Sequence, residues 1–250
     1  MILIFALLSL WGWTLAIFFT LFYQLIGLFL VMPLTLVLDR ETRSWMHAVS
    51  VMWARSILTL NPFWRLRVEG RENIQRGKHY VVVANHQSML DILVALAGLP
   101  LHFKFMAKKE LFSVPAMGWH MTLAGYIPID RANVQSGREA LDVACEWLGK
   151  GVSILFFPEG TRSPDGEIKK FKAGAIKAAQ DQKVEILPVV IDGTGQALPK
   201  QSMIIKNVTR IVIQIGAPVS VGPHENLEQA AERVREIMCR RLETIRSERI

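Results

Sequence analysis

The stretch Tyr80-Val81-Val82-Val83-Ala84-Asn85-His86-Gln87-Ser88-Met89-Leu90-Asp91 decides how this chain is organised. Its first five residues form an apolar, valine-rich run, which is typical of a buried β-strand. A histidine follows two residues after that run, and an aspartate follows the histidine by five residues. Ser88 and Asp91 have the spacing of a capping box, so a helix is expected to begin there. The stretch therefore predicts a strand, a turn that carries His86 and a helix that carries Asp91.

The residue types in this turn suggest proton transfer. Histidine is well suited to moving protons near neutral pH, and a carboxylate can fix its tautomer and stabilise its charged form. On one continuous helix the two side chains would point roughly 140° apart, so they meet only if His86 precedes the helix and Asp91 lies in its first turn. No obvious protein nucleophile stands beside them, which suggests that His86 activates a hydroxyl on a bound substrate. The alternative is that Asp91 only caps the helix and His86 is a polar loop residue.

A second apolar strand, residues 151–157, runs into the turn Pro158-Glu159-Gly160-Thr161-Arg162-Ser163. A guanidinium holds a phosphate with two hydrogen bonds, which makes Arg162 a candidate phosphate ligand. Glu159 could hold Arg162 in place or accept a hydrogen bond from a substrate hydroxyl. The alternative is a solvated turn, because Pro, Asp and Gly are common in turns.

A third stretch, residues 125–131, is typical of a short strand that delivers a second arginine, Arg131. Together the three motifs resemble the glycerolipid acyltransferase family, in particular the 1-acylglycerol-3-phosphate acyltransferases. That family carries an NHxxxxD block, a block ending in an arginine, a FPEGTRS block and a later apolar block with a proline. This chain has all four in order over roughly residues 65–220, the last block being residues 187–191.

The resemblance implies acyl transfer from an acyl thioester, on coenzyme A or acyl carrier protein, to the free hydroxyl of a lysophospholipid, 1-acylglycerol 3-phosphate above all. His86 would be the general base and Asp91 its orienting partner, with backbone N–H groups near Asn85 or Gly160 stabilising the oxyanion. No cofactor is expected beyond the acyl donor. The candidate substrate-binding residues are Arg131, Glu159, Gly160, Thr161, Arg162, Lys104 and Lys108.

Two alternatives to this function remain open at the level of sequence. Within the class, the acceptor could be another lysophospholipid or glycerol 3-phosphate. Outside the class, the chain could be a catalytically inactive lipid-binding protein of the membrane. An intact pair of His86 and Asp91 argues against the inactive protein, because a binding module has no need of it.

The N-terminal 38 residues predict a membrane anchor. No Asp, Glu, Lys, Arg or His occurs before Asp39. This apolar run exceeds the ~20 residues that span a bilayer and the 7–15-residue core of a signal peptide. It could form one tilted span with an interfacial extension, or a helical hairpin that enters one leaflet. A buried core helix is the alternative.

Residues 39–62 predict an amphipathic helix that links the anchor to the catalytic domain, residues 63–250. Apolar residues recur every three or four positions, with Trp45 and Trp53 among them. This stripe could lie at the membrane interface or pack on the domain. Arg40, Arg43 and Arg55 flank the anchor, which predicts a catalytic domain on the cytoplasmic face, that of the inner membrane if the protein is bacterial.

Charge and cysteine usage narrow the class of partner. The 29 Lys and Arg exceed the 22 Asp and Glu, giving a formal charge of +7, and all of them follow residue 38. A basic surface suits membrane lipids with anionic headgroups, a phosphorylated acceptor and an acidic acyl carrier. Nucleic acid is not expected, because no recognised motif for it appears. The two cysteines and six histidines lack ligand spacing, so no metal is predicted.

Beyond residue 63, predicted strands alternate with predicted helices. This alternation indicates an α/β domain with a mixed, largely parallel sheet flanked by helices, as in the glycerolipid acyltransferase fold. Candidate catalytic groups follow several strands, which fits sheets whose sites lie beyond the carboxyl ends of the strands. The strands are expected near 65–69, 80–85, 102–106, 126–129, 152–157, 185–191 and 208–215, and the helices near 88–98, 135–149, 171–181 and 226–246.

Overall fold

A seven-stranded sheet with helices on both faces forms the centre of the molecule. The computed structural model describes residues 2–130, 132–199 and 208–248, with side chains from residue 9 onward. The strand order is β1-β7-β6-β2-β5-β3-β4. The strands are β1 Trp64–Glu69, β2 Val81–Ala84, β3 Phe103–Lys108, β4 Ile127–Ile129, β5 Ser153–Phe156, β6 Ile186–Asp192 and β7 Thr209–Ile215.

The helices divide into an N-terminal group and a group that covers the sheet. A π-helical segment, Gly27–Val31, joins the first two helices, and 3-10 turns occupy Arg71–Asn73 and Lys109–Ser113. The helices are α1 Ile2–Ile26, α2 Met32–Leu38, α3 Ser44–Leu60, α4 Leu90–Gly98, α5 Met117–Leu123, α6 Val134–Gly149, α7 Gly174–Gln182, α8 Thr194–Ala197 and α9 Leu227–Ser247.

Strand direction places the predicted motifs on one edge of the sheet. β2, β3, β4, β5 and β6 are mutually parallel, whereas β7 is antiparallel to β6 and β1 runs parallel to β7. The residues that follow β2, β3, β4 and β5 therefore emerge at the same carboxyl edge. The predicted mixed, largely parallel sheet is confirmed.

Two apolar cores flank the sheet, because successive strand residues point to opposite faces. Val82 joins the core beneath α3, α4 and α5, whereas Val81 and Val83 join the core beneath α6, α7 and α9. All four residues of β2 are fully buried. Burial on both faces explains why this strand is a continuous apolar run rather than an alternating one.

The N-terminal segment is helical from residue 2 to residue 38, and α3 returns along it after a turn at residues 39–43. Trp53 Nε1 donates to Thr20 Oγ1 at 3.0 Å, and Tyr23 and Ser56 hydroxyls lie 2.9 Å apart. The hairpin is thus made by α1 with α3, not within the first 38 residues. α3 buries Met46, Val49, Ala54, Ile57 and Leu58 against the domain and α1, so its apolar stripe packs on the protein.

The segment Ser9–Leu38 forms one helix that is long and apolar enough to cross a membrane, by length and composition, within the described residues. Only 6% of its most apolar window is buried in the protein. That exposure argues against the core-helix alternative, since a core helix would be enclosed.

The four predicted helices of the domain are present, and two short helices, α5 and α8, were not predicted. α5 follows Pro115 and contains Gly118, both of which weaken a helical pattern in sequence. Tertiary packing accounts for that glycine, because a Cβ at position 118 would come within 2.0 Å of Phe112 O.

Candidate active site

His86 and Asp91 form a buried hydrogen-bonded pair at the carboxyl end of β2. His86 Nδ1 lies 2.6 Å from Asp91 Oδ2, with His86 in the turn and Asp91 in the first turn of α4, as the spacing required. Asp91 is fully buried and His86 is 7% exposed. Because Nδ1 donates to the carboxylate, Nε2 is left as the acceptor that can take a proton from a bound hydroxyl.

The Asp91 carboxylate orients the imidazole and holds the turn that precedes α4. Oδ2 accepts from Gln87 N at 2.7 Å and from Ser88 N at 2.9 Å, and Oδ1 accepts from the Thr194 hydroxyl. These donors offset the cost of burying the charge. The N-cap residue of α4 is Met89, without a side-chain capping bond, so the expected capping box that begins at Ser88 is not formed.

Glu159 holds the backbone around His86. Its Oε1 accepts from His86 N at 2.9 Å, and its Oε2 accepts from Lys169 N at 3.2 Å. Ser163 N donates to His86 O at 2.7 Å. Burial raises the pKa of Glu159, and the two backbone donors oppose that shift. Among the described contacts Glu159 makes no ion pair with Arg162, so the proposed pairing is not seen.

An apolar cleft of about 410 Å³ opens beside His86. It runs between α4, β3 and α5, and residues of α1 and α3 close one side of it. The Phe157 ring stacks on the His86 ring with 4.2 Å between centroids and forms part of the wall. The cleft thus places an apolar cavity directly beside a proton acceptor.

Two of the predicted cationic ligands face this cleft. Arg162 and Lys108 both line it, and Lys108 is exposed and pairs with Glu110 at 3.1 Å. Thr161 is exposed. Gly160 has a φ of +72°, a conformation that favours glycine, and its N–H donates to Phe157 O at 3.0 Å. Arg131 lies outside the described residues.

Lys104 does not reach the cleft. It is fully buried, and its Nζ lies 3.0 Å from His102 Nε2 and 3.4 Å from Arg43 O. Burial, with the nearby Arg43 charge, lowers the pKa of Lys104 to about 7. The same Nζ lies 5.0 Å from the centroid of the Trp147 ring. Its contacts are those of a structural side chain, so the substrate-binding role expected for Lys104 has no support in the geometry.

Three contributors to the site were not found by sequence reasoning. Thr194 is 103 residues from Asp91 and reaches it only because β6 lies next to β2. Asn85 was proposed only as a neighbour of oxyanion donors, but its side chain bonds both N and O of Ile191 at 2.8 Å. Phe157 was part of a recognised block, yet nothing in its spacing indicated stacking on His86. Within the described residues no group of three or more potential metal ligands occurs.

Fold and site together define an α/β protein whose histidine–aspartate pair faces an apolar cleft lined by cationic side chains. The chain belongs to the Acyltransferase family, whose model matches residues 65–192. That match begins in β1 and ends with β6, so it contains His86, Asp91, Glu159 and Arg162.

Named relatives agree with this assignment. The chain is 37% identical over 188 residues to the chloroplastic 1-acyl-sn-glycerol-3-phosphate acyltransferase LPAT1 of Arabidopsis thaliana, covering 75% of this chain and 52% of that protein. It is 35% identical over 186 residues to the 1-acyl-sn-glycerol-3-phosphate acyltransferase of Saccharomyces cerevisiae, covering 72% and 60%. The chain thus spans about half to three fifths of the length of these relatives.

A solved structure matches over nearly the whole chain. The crystal structure of PlsC from Thermotoga maritima, a 1-acyl-sn-glycerophosphate acyltransferase, superposes with a TM-score of 0.82 at 32% identity. The match covers 96% of this chain and 95% of that one, so it includes the N-terminal helices as well as the sheet.

We expect three substitutions to separate the roles in the dyad. His86→Ala should abolish acyl transfer, and Asp91→Asn should lower kcat far more than it changes KM, because the imidazolium loses its charged partner. Thr194→Val should lower kcat by a smaller factor, since Asp91 keeps its other donors. Steady-state kinetics with thermal unfolding as the folding control would test this. Near wild-type turnover of a folded His86→Ala protein would contradict the assignment.

The two lysines should behave differently. Lys108→Met should raise KM for a phosphate-bearing acceptor, whereas Lys104→Met should leave that KM near wild type. Because the folded pKa of Lys104 is about 7 against 10.5 for a free lysine, the unfolded chain binds more protons between these values. The contribution of Lys104 to stability therefore rises with pH across this window.

Denaturant unfolding of the wild type and of Lys104→Met at several pH values would test the second part. The wild type should gain stability relative to the variant as the pH rises above about 7. A constant difference across this range, or a raised acceptor KM in Lys104→Met, would show that Lys104 is ionised or contacts substrate.

Proposed function

We propose that this protein transfers a fatty acyl group from an acyl thioester to the free hydroxyl of 1-acylglycerol 3-phosphate, giving phosphatidic acid. The observation that carries the proposal is the His86–Asp91 pair at the mouth of an apolar cleft that Arg162 and Lys108 also line. 1-Acylglycerol 3-phosphate has one acyl chain, one free hydroxyl and one phosphate. The apolar cleft suits the acyl chain, the histidine–aspartate pair suits the hydroxyl, and the two cationic side chains suit the phosphate. The relatives named above support the same acceptor.

In the proposed mechanism, His86 Nε2 removes the proton of the acceptor hydroxyl as its oxygen attacks the thioester carbonyl carbon. General-base catalysis of this kind contributes about 10²–10⁴-fold. Asp91 stabilises the imidazolium that forms. The tetrahedral intermediate then collapses, the C–S bond breaks, and the leaving thiolate takes the proton back from Nε2. The products are the ester, the free thiol and neutral histidine.

The oxyanion of the intermediate needs donors that are free to meet it. Glu159 and Asp91 already use the backbone N–H groups of residues 86, 87 and 88, and Gly160 N–H is bonded to Phe157. The N–H groups that follow Asn85 and the N–H of Gly160 itself are therefore engaged, which leaves the later part of the Gly160 turn among the sites expected from the sequence. We place the oxyanion near the N–H groups that follow Gly160, in the turn that ends at Arg162.

We propose that the N-terminal helices hold the cleft at the membrane surface. Large apolar side chains of α1 and α2 remain exposed, Phe18, Phe29 and Val37 among them. Thr20, Tyr23 and Gln24 of α1 also line the cleft, so lipid substrates can enter it from the bilayer. The first charged residues after the anchor include Arg40 and Arg43, which favours a cytoplasmic catalytic domain.

The phosphate contact can be tested with Arg162→Ala. Loss of one charge-assisted contact should cost about 1.5–3 kcal/mol on 1-acylglycerol 3-phosphate and little on uncharged monoacylglycerol. Arg162→Lys should rescue only partly, because lysine lacks the planar fork. Arg131→Ala is expected to behave as Arg162→Ala does.

The matched control for this experiment is Arg65→Ala, which removes an exposed arginine from the edge strand β1. Its KM for either acceptor should stay at the wild-type value. Equal losses on both acceptors in Arg162→Ala would show that the arginine is structural. Preference of the wild type for glycerol 3-phosphate or for another lysophospholipid would replace the proposed acceptor.

Binding of an acyl chain in the apolar cleft can be tested by filling part of the cleft. Leu93 of α4 is half-buried and lines the cleft one turn beyond Met89, so Leu93→Trp should shorten the longest acyl chain that is used efficiently. Transfer of short chains serves as the internal control for folding and chemistry. Activity would be measured against acyl chains of increasing length, on the donor and on the acceptor separately. A uniform loss at every length would show that the apolar cleft does not hold an acyl chain.

A further inference from the structure

A second cavity has a volume of about 320 Å³, and none of the described residues that line it belongs to the N-terminal helices α1, α2 and α3. We call it the α6–α7 cleft, because the first turns of both helices line it together with the ends of β4 and β5. The residues used below are Gly137, Phe157, Gly160, Lys172 and Gly174, all of which line it. The mechanism described above makes no use of this space.

The α6–α7 cleft adjoins the large apolar cleft at the reacting centre. Met106 and Phe157 line both cavities. Phe157 is also the ring that stacks on His86. A molecule that enters through the α6–α7 cleft and passes Phe157 therefore arrives beside the imidazole. The two cavities therefore meet beside one reacting centre, an arrangement that a two-substrate reaction can use.

Glycines leave the walls of the α6–α7 cleft open. A Cβ placed on Gly137 of α6 or on Gly174 of α7 would meet no atom within 4 Å. Neither glycine has a positive φ, so no backbone strain requires it. A helix gains stability when glycine is replaced by almost any other residue except proline. The free space at these two positions is thus a feature of the cleft, and it suits a thin, extended ligand.

The charge at this cleft is suited to an anion. The Lys172 side chain is exposed and lies against Gly160, where a Cβ would come 3.0 Å from Nζ. Within the described residues Lys172 forms no ion pair with a carboxylate. The acidic residue of the cleft, Asp130, pairs with Lys109 at 3.5 Å and accepts from Ala132 N. Lys172 is therefore available to a phosphate group.

We propose that the α6–α7 cleft binds the 4′-phosphopantetheine arm of the acyl donor. This inference rests on the proposed acyl transfer. The arm is narrow, unbranched for most of its length and carries a phosphate at the end remote from the sulfur. Lys172 would meet that phosphate, the arm would extend between Gly137 and Gly174, and the thioester would reach His86 past Phe157. Coenzyme A and acyl carrier protein both carry this arm, so the cleft can bind the arm of either donor.

Two cavity-filling variants test the proposal. Gly137→Leu and Gly174→Leu each place a side chain in the arm's path from a different wall, and neither Cβ causes a clash. Gly149→Leu is the matched control, because it lies on the same α6 helix outside the cleft and its Cβ would meet only Gln182 Oε1, at 3.8 Å. Thermal unfolding of the three variants would show that each is folded.

The kinetic comparison uses donors with and without the arm, on the full chain in detergent micelles at saturating 1-acylglycerol 3-phosphate. One acyl group is presented on coenzyme A, on acyl carrier protein and on N-acetylcysteamine, which keeps the thioester but lacks most of the arm. Gly137→Leu and Gly174→Leu should raise KM about tenfold or more for every arm-bearing donor that the wild type uses. They should leave kcat/KM for the N-acetylcysteamine thioester within about twofold of wild type.

Substitutions of Lys172 provide an independent test. Lys172→Ala should raise KM for the arm-bearing donors, and Lys172→Arg should restore most of the loss, because a phosphate accepts either cation. Competition of desulfo-coenzyme A with a fluorescent coenzyme A analogue would measure binding without turnover. Weaker binding in Gly137→Leu than in Gly149→Leu is expected there too.

Several results would overturn the proposal. Equal loss on all donors would show that the filled cleft disturbs the fold or the acyl chain. A loss confined to long acyl groups would mean that the cleft holds an acyl tail, and a loss confined to coenzyme A would mean that it holds the nucleotide. A wild-type KM for the arm-bearing donors in both Gly137→Leu and Gly174→Leu would show that the arm does not bind in the α6–α7 cleft. Absence of transfer by the wild type, by contrast, would refute the proposed function, while the binding measurement would still decide about the cleft.

Discussion

The site depends on the hydrogen bonds that the buried carboxylate of Asp91 accepts. The carboxylate accepts from His86 Nδ1, from two backbone N–H groups and from the Thr194 hydroxyl. A fully buried carboxylate is stable only when such donors surround it. The same hydrogen bonds fix the turn, begin α4 and set the tautomer of His86. Changing this one side chain therefore changes the backbone and the chemistry together.

The strand order explains how distant residues reach this turn. β5 and β6 flank β2, so the turns that follow them close on His86 from both sides. The β5 side brings Glu159 and Ser163 to the His86 backbone, and the β6 side brings Thr194 to Asp91. In a parallel sheet these turns share one edge, which is why open α/β sheets place their sites there. The geometry of the site is thus a consequence of topology more than of any single turn.

The sequence was sufficient for the strands, the main helices and the meeting of His86 with Asp91, because each depends on local periodicity or spacing. It failed where partners come from distant segments. Glu159 was assigned to Arg162 or to substrate, whereas it binds two backbone N–H groups. Lys104 looked like Lys108 in sequence, but Lys104 lies inside β3 and is buried, whereas Lys108 is the last residue of the strand and is exposed. The hairpin of α1 and α3 was not predicted because its second helix, α3, lies beyond the apolar run of the first 38 residues.

The N-terminal helices and the site form one structure. α1 supplies Thr20, Tyr23 and Gln24 to the wall of the large cleft, and its Gly27 approaches His120, which lines the same cleft. A tether alone would need no such contacts. On the proposed function, the acceptor lipid would keep its acyl chain in apolar surroundings as it moves from the bilayer to His86. Exposing that chain to water would cost about 0.8 kcal/mol per CH₂, so a continuous apolar route lowers the barrier to entry. The polar arm of the proposed donor would gain nothing from this route, which is a physical reason for the proposed second approach on the other side of Phe157.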